Sequence, residues 1–216
     1  MNEPVKLHRY EGRHAVVSYD VKRCIHAAEC VRGLPSVFDP KAKPWIQPGE
    51  VDANALAAVI ARCPSGALRL ERGSGPADAP SAANTATLTP DGPTHLSGDI
   101  SLIGPDGAVA SVESRMALCR CGASQNKPYC DNSHRKIGFR HEATLPGGKA
   151  AAPATKGGRL SVRARVDGPL MCTGPLAVIG ADGRSAYAES TFLCRCGGSA
   201  NKPYCDGSHS RIGFKG

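Results

Sequence analysis

Cys194-Arg-Cys196-Gly197 followed by Asn201-Lys-Pro-Tyr-Cys205 and His209 repeats a stretch found earlier in the chain, Cys119-Arg-Cys121-Gly122 through Asn126-Lys-Pro-Tyr-Cys130 and His134. The offset is 75 here and 76 upstream, where Gly92-Pro93 answers Gly168-Pro169, Asp106-Gly107 answers Asp182-Gly183 and Glu113-Ser114 answers Glu189-Ser190. Self-similarity at a fixed offset is read before anything else, because it says that one unit has been used twice. Both copies space their cysteines and histidine as C-x-C-x8-C-x3-H. Four soft or borderline donors so close together are a metal signal, and three thiolates with one imidazole suit a structural zinc ion as well as an iron-sulfur cluster.

Each copy begins near Asn84 or Arg159 and ends on Ile137-Gly138-Phe139 or Ile212-Gly213-Phe214. Asp-Gly between short apolar runs (Ile100 to Ile103; Leu176 to Ile179) predicts a β-hairpin in each. A helical turn after the last cysteine would put Cys130 with His134, and Cys205 with His209, at i and i+4 on one face. Arg72 to Ala86 and Leu145 to Gly158, rich in Gly, Pro, Ser and Ala, read as linkers. They delimit three expected domains: 1–72, 84–142 and 159–216.

The run Cys205-Asp206-Gly207-Ser208-His209, with Ser199 and Pro203 before it, resembles the CDGSH iron-sulfur domain, the family of mitoNEET. The first copy departs from that pattern at Asn132, which replaces Gly but tolerates left-handed backbone better than most residues. The resemblance implies a [2Fe-2S] cluster in each copy, with the two early cysteines on the inner iron and the late Cys and a solvent-facing His on the outer one. Carried over, Cys119 and Cys121 hold the inner iron of one cluster, and Cys130 and His134 its outer iron. Cys194 and Cys196, then Cys205 and His209, repeat those roles. One imidazole in place of thiolate raises a cluster's potential and admits a proton, so acid-labile absorbance is expected. The family's strand-swapped homodimers imply that two copies in one chain form an intramolecular pseudo-dimer, and hence a monomer.

Before the repeats, Cys24-x5-Cys30 and Cys63-Pro64 have a spacing that resembles bacterial-type ferredoxins, including the divergent single-cluster type. Ala27 stands where a [4Fe-4S] loop has another cysteine. Three thiolates hold three irons, so a [3Fe-4S] cluster on Cys24, Cys30 and Cys63 is the first reading and an open-site [4Fe-4S] cluster the second. His26, one place away, points differently along the loop. A strand is expected at Ala15 to Tyr19, and a helix from Ala53 to Arg62 capped by Asp52 with Leu56, Val59 and Ile60 on one face. The fold class is therefore α+β, a ferredoxin-like domain followed by two small β-rich domains. Cys172, which aligns with Leu96, reads as a buried small apolar residue, and His8, His14, His95 and His141 as surface or satisfied positions.

Composition agrees with small, metal-stapled units: 4 Phe, 5 Tyr and 1 Trp stand against 25 Gly and 17 Pro in 216 residues. Nine of the ten cysteines fall in metal-like clusters rather than a disulfide framework. With reduced thiols, no signal peptide and no apolar run approaching the ~20 residues of a membrane helix, the expected setting is the cytoplasm, with no membrane partner. The formal charge of +8 falls to about +4 once nine thiolates and the cluster cores are counted. That suits an acidic redox partner or apo-acceptor protein, and no nucleic-acid-binding signature accompanies it. No triad, carboxylate pair or nucleotide loop appears, so an electron carrier is expected rather than an enzyme, with cluster transfer or redox and pH sensing as the alternative.

Overall fold

The computed structural model describes residues 7–71, 80–147 and 157–216. The chain is mostly β, with a few short helices, and divides into two compact units, Met1–Ala79 and Pro80–Gly216.

In the first unit, β1 (Leu7–Glu11), β2 (Val16–Asp20) and β3 (Leu68–Glu71) form an antiparallel sheet in that order. Leu68 and Leu70 alternate inward along β3 while Arg69 and Glu71 do not, the period-2 pattern of a half-buried strand. Against this sheet packs α2 (Ala53–Ile60), whose Leu56, Val59 and Ile60 are buried as their spacing predicts. Asp52 caps it, its carboxylate accepting from the Asn54 and Ala55 amides. Phe38 and Ile46 complete the core, and Trp45 meets Tyr19 edge-on at 5.0 Å. The short α1 (Glu29–Gly33) begins after the left-handed Ala28.

The second unit holds both repeats in a six-stranded sheet of β4 (Thr85–Leu88), β5 (Thr94–Ile103), β6 (Val109–Leu118), β7 (Leu160–Ala164), β8 (Leu170–Ile179) and β9 (Ser185–Leu193). β5 and β6, and β8 and β9, are the two predicted hairpins. Each copy's first strand then serves both. β4 runs antiparallel to Thr94–Ser97 of its own hairpin and parallel to Ala177–Ile179 of the other. β7 runs antiparallel to Leu170–Thr173 of its own and parallel to Ile100–Ile103 of the first.

The hairpins shift register where this exchange occurs, between Ser97 and Ile100 and between Thr173 and Leu176. Gly98 and Gly174 sit there with φ of 142° and 114°. A Cβ on Gly98 would lie 2.8 Å from Asn84 Cα, and one on Gly174 would lie 2.3 Å from Arg159 O, so the crossing strands exclude a side chain. Asn84 ties the crossing together, donating to Gly158 O and Pro175 O and accepting from Asp99 N–H.

Two linker boundaries need correction. Ala86 lies in β4 and is fully buried, and Leu145 is 2 % exposed in the sheet's core, so both belong to the fold. The stretches 72–79 and 148–156 of those linkers lie outside the described residues. Cys172 is buried among the same apolar residues.

Candidate metal centres

Each repeat presents its donors from two places. The end of β6 or β9 delivers the C-x-C elbow, and the loop after it returns to pair with the strand end: Cys119 N–H donates to Pro128 O, and Cys130 N–H to Ala117 O. Cys194 to Pro203 and Cys205 to Phe192 repeat those bonds. The loop is closed from inside by Ser124 Oγ, which donates to Tyr129 O at 2.7 Å and accepts from Asn126 N–H; Ser199 does the same with Tyr204 O and Asn201 N–H. Asp131 accepts from Gln125 and Ser133 amides, and Asp206 from Ala200 and Ser208 amides. A hydrogen bond from the Ser208 side chain, then those amide bonds, hold the Asp206 carboxyl well below the usual carboxylate range.

Cys119 and Cys121 Sγ stand 3.8 Å apart, as do Cys194 and Cys196. Cys130 Sγ lies 3.5 Å from His134 Nδ1, and Cys205 Sγ lies 3.4 Å from His209 Nδ1. Two thiolates about 2.3 Å from one tetrahedral metal are themselves roughly 3.8 Å apart, and a thiolate and an imidazole nitrogen about 3.6 Å. Each repeat thus offers two pairs of donors, each pair spaced for one metal atom. Among the described residues no three His, Cys, Asp or Glu side chains gather as a single-ion site would need. Two donor pairs of this spacing and chemistry fit a metal-binding site of iron-sulfur type.

The late pair is made differently from the expectation. The helices α3 (Ser133–Lys136) and α4 (Ser208–Arg211) start after the cysteine, so Cys and His do not share a helix face. A left-handed residue between them, Asn132 at φ 68° or Gly207 at φ 82°, turns the chain and brings Nδ1 back to Sγ. Of the two histidines implied to face solvent, His134 is 7 % exposed, and burial pushes its pKa down. His209 is half-buried.

The thiols are electrostatically unequal. The bond between Cys119 and Cys121 pulls their two thiols apart, lowering the pKa of Cys119 against the opposing effect of burial and raising that of Cys121. Burial raises Cys130 to about 11. Metal binding takes all three as thiolates, so it releases protons.

In the first unit Cys24, Cys30 and Cys63 line one small pocket with Tyr19, Ala27, Glu29, Trp45 and Pro64. Ala27 therefore occupies a wall of that pocket without a donor atom, whereas His26 is exposed and does not line it. The Tyr19 hydroxyl hydrogen-bonds Cys24, and burial and that bond push its pKa well up. Burial, then the Cys63 and Cys24 charges, raise Cys30.

Comparison with known proteins agrees with this geometry. The sequence profile of a family described as "Iron-binding zinc finger CDGSH type" matches residues 91–135 and again 167–210. A profile described as "Divergent 4Fe-4S mono-cluster" matches residues 10–73. The chain carries two tandem CDGSH-type repeats behind a divergent 4Fe-4S mono-cluster domain. It is also similar to the uncharacterized protein YjdI of Escherichia coli K12 and of E. coli O157:H7. Each is 45% identical over 60 residues, 28% of this chain and 79% of the relative. The protein is thus a metal-binding, iron-sulfur protein.

Two residues that the sequence reading passed over stand inside this arrangement. Arg120 and Arg195, between the paired cysteines, are each 2 % exposed. His141 faces Arg120, with Nδ1 at 2.9 Å from Nη1. Only the position of each arginine inside a C-x-C would have drawn notice to it.

Proposed function

We propose that this protein is a multi-cluster electron carrier, with two [2Fe-2S] clusters and one [3Fe-4S] cluster, working with a redox protein partner. The spacing of donors in metal-sized pairs, 3.8 Å for Cys with Cys and 3.4–3.5 Å for Cys with His, carries the reading. Cys119 with Cys121 and Cys194 with Cys196 would hold the inner irons; Cys130 with His134 and Cys205 with His209 would hold the outer ones. Cys24, Cys30 and Cys63 would hold the third cluster, and the missing donor at Ala27 favours three irons over four. Such clusters supply reversible one-electron chemistry. The residues contribute geometry and charge: the elbows fix thiolates, Nδ1 of each histidine completes a pair, and Asp131 and Asp206 lock the loops.

The exchanged strands β4 and β7 support an internal pseudo-two-fold pair of repeats within a monomer. For the first unit we favour a ferredoxin-like fold. No bond-making role accompanies the clusters in this reading, and reduced thiols favour the cytoplasm. Among the described residues no helix is long and apolar enough to cross a membrane. The half-buried His209 favours a second role, cluster transfer or redox and pH sensing, for the second repeat over the first. Mixing the loaded protein with an apo-[2Fe-2S] ferredoxin and, separately, with a reduced ferredoxin tests the choice. Rapid reduction with retained absorbance supports the carrier; absorbance moving to the apo-ferredoxin overturns it in favour of transfer.

A further inference from the structure

The two repeats end in tips of the same backbone and different charge. In the first, Ile137 N–H donates to Ser133 O at 3.1 Å and Phe139 N–H to His134 O at 3.0 Å; in the second, Ile212 to Ser208 O and Phe214 to His209 O repeat those bonds at 3.0 Å. Each tip is thereby strapped to the histidine that completes its donor pair. Each also presents an isoleucine, Ile137 or Ile212, that is 55 % exposed. One exposed apolar side chain is ordinary, but its surroundings differ between the copies.

Arg135, Lys136 and Arg140 flank Ile137, whereas Ser210, Arg211 and Lys215 flank Ile212. Both cations of the second tip are engaged: Arg211 donates to Ser208 Oγ at 2.6 Å with Asp206 at 4.0 Å, and Lys215 pairs with Asp167 at 2.7 Å. In the first tip Arg140 pairs with Asp91 at 3.1 Å. Arg135 and Lys136 are exposed, and among the described residues neither side chain has an ion-pair or hydrogen-bond partner. Three cations thus stand against Asp91 and Asp131 in the first tip, and two against Asp167 and Asp206 in the second. The first keeps an excess of positive charge around an apolar spot, the anatomy of a charged rim on an apolar centre; the second is balanced.

We propose that Arg135, Lys136 and Ile137 form the docking surface for an acidic redox protein, so that electrons are exchanged at the first tip rather than the second. The inference rests on the electron-carrier reading. Carboxylates of the partner meet the two unpaired cations, and an apolar side chain covers Ile137. One electron then passes from the reduced partner, which is oxidised, to the first repeat, which is reduced. A nucleic acid would answer the charge, but its phosphate backbone gives Ile137 no apolar contact.

The test uses the loaded full chain and an acidic, all-cysteine [2Fe-2S] ferredoxin. Binding is read from the anisotropy of the labelled ferredoxin, and reduction from stopped-flow absorbance with the reduced ferredoxin. Arg135→Glu with Lys136→Glu should weaken binding and slow reduction about tenfold at low salt, and by less than about threefold at about 0.5 M salt. Arg211→Glu with Lys215→Glu makes the same change in net charge and should alter either by less than about threefold. Ile137→Ala should weaken binding about threefold, and Ile212→Ala should not. Equal losses from the two double variants, or a larger loss from the second, overturn the proposal. So does a chain that binds a labelled DNA duplex and not the ferredoxin. Should the first double variant load poorly, Lys136→Glu alone should weaken binding about threefold at low salt, and unchanged binding overturns the proposal. If the unsubstituted chain binds the ferredoxin but takes no electron from it, the carrier reading falls, and the binding comparison still decides the surface.

Discussion

Replacing Gly122 by alanine tests the contact between the two elbows. Its φ of 84° lies in the left-handed region, where a Cβ costs about 1–2 kcal/mol. That Cβ would also stand 2.5 Å from Cys196 O and 2.9 Å from Cys196 C, and because both are backbone atoms something must move. Overpacking of this kind costs about 1–3 kcal/mol, which brings the total to about 2–5 kcal/mol. With a urea slope of about 2 kcal/mol/M the midpoint should fall by about 1–2.5 M. Gly138→Ala is the control, since φ is 63° but nothing lies within 4 Å of the added carbon, so only the backbone cost applies. The assay is urea unfolding of the loaded chain, followed by circular dichroism and visible absorbance. Because the displaced atoms belong to the second repeat, absorbance from both clusters should bleach at lower urea. If Gly122→Ala were no less stable than Gly138→Ala, the back-to-back contact would be wrong.

Ala27→Cys supplies the missing thiolate, so iron content should rise by about one per chain and the magnetic signal of an oxidised [3Fe-4S] centre should vanish; an unchanged signal contradicts the assignment. Cys172 is 1 % exposed and burial pushes its thiol up to about 12. Cys172→Ser should therefore leave iron and sulfide content unchanged while costing about 1–3 kcal/mol in stability, and lost cluster absorbance would contradict that. His141 Nδ1 accepts from Ala143 N–H and faces Arg120 Nη1, each at 2.9 Å, so folding requires that nitrogen unprotonated. Burial first, then Arg120 and Lys202, push its pKa down against Glu142 and Asp91. With the folded pKa below the unfolded value of about 6.5, its contribution is complete above that pH and is lost as pH falls through it. His141→Gln, whose amide oxygen also accepts, should lose less stability between pH 7 and pH 5, measured by urea midpoints; equal losses argue against this role.

Local chemistry was legible in the sequence because it is written in adjacent residues. The Asp106-Gly107 and Asp182-Gly183 turns make hairpins, Asp52 caps α2, and Asn132 adopts the left-handed conformation that Gly207 has in the other copy. What escaped depends on distant partners. No local signal says that β4 will lie parallel to β8, because parallel pairing is decided by segments far apart in the chain. Leu145 read as linker because Pro146 and Gly147 follow it, yet its side chain fills the shared core. Arg120 and Arg195 drew no reading, and His141 read as a surface or satisfied position, because burial is not encoded at single positions. The i, i+4 reading of Cys130 with His134 failed because one left-handed residue between them does what a helix turn was expected to do.

The account turns on what fills the paired donors. Iron, zinc and acid-labile sulfide should be measured in the intact chain purified without added metal, alongside its electron paramagnetic resonance spectrum. Two [2Fe-2S] clusters and one [3Fe-4S] cluster predict about seven irons and eight sulfides per chain, with negligible zinc. A colourless protein with about one zinc in each repeat and no sulfide would contradict it.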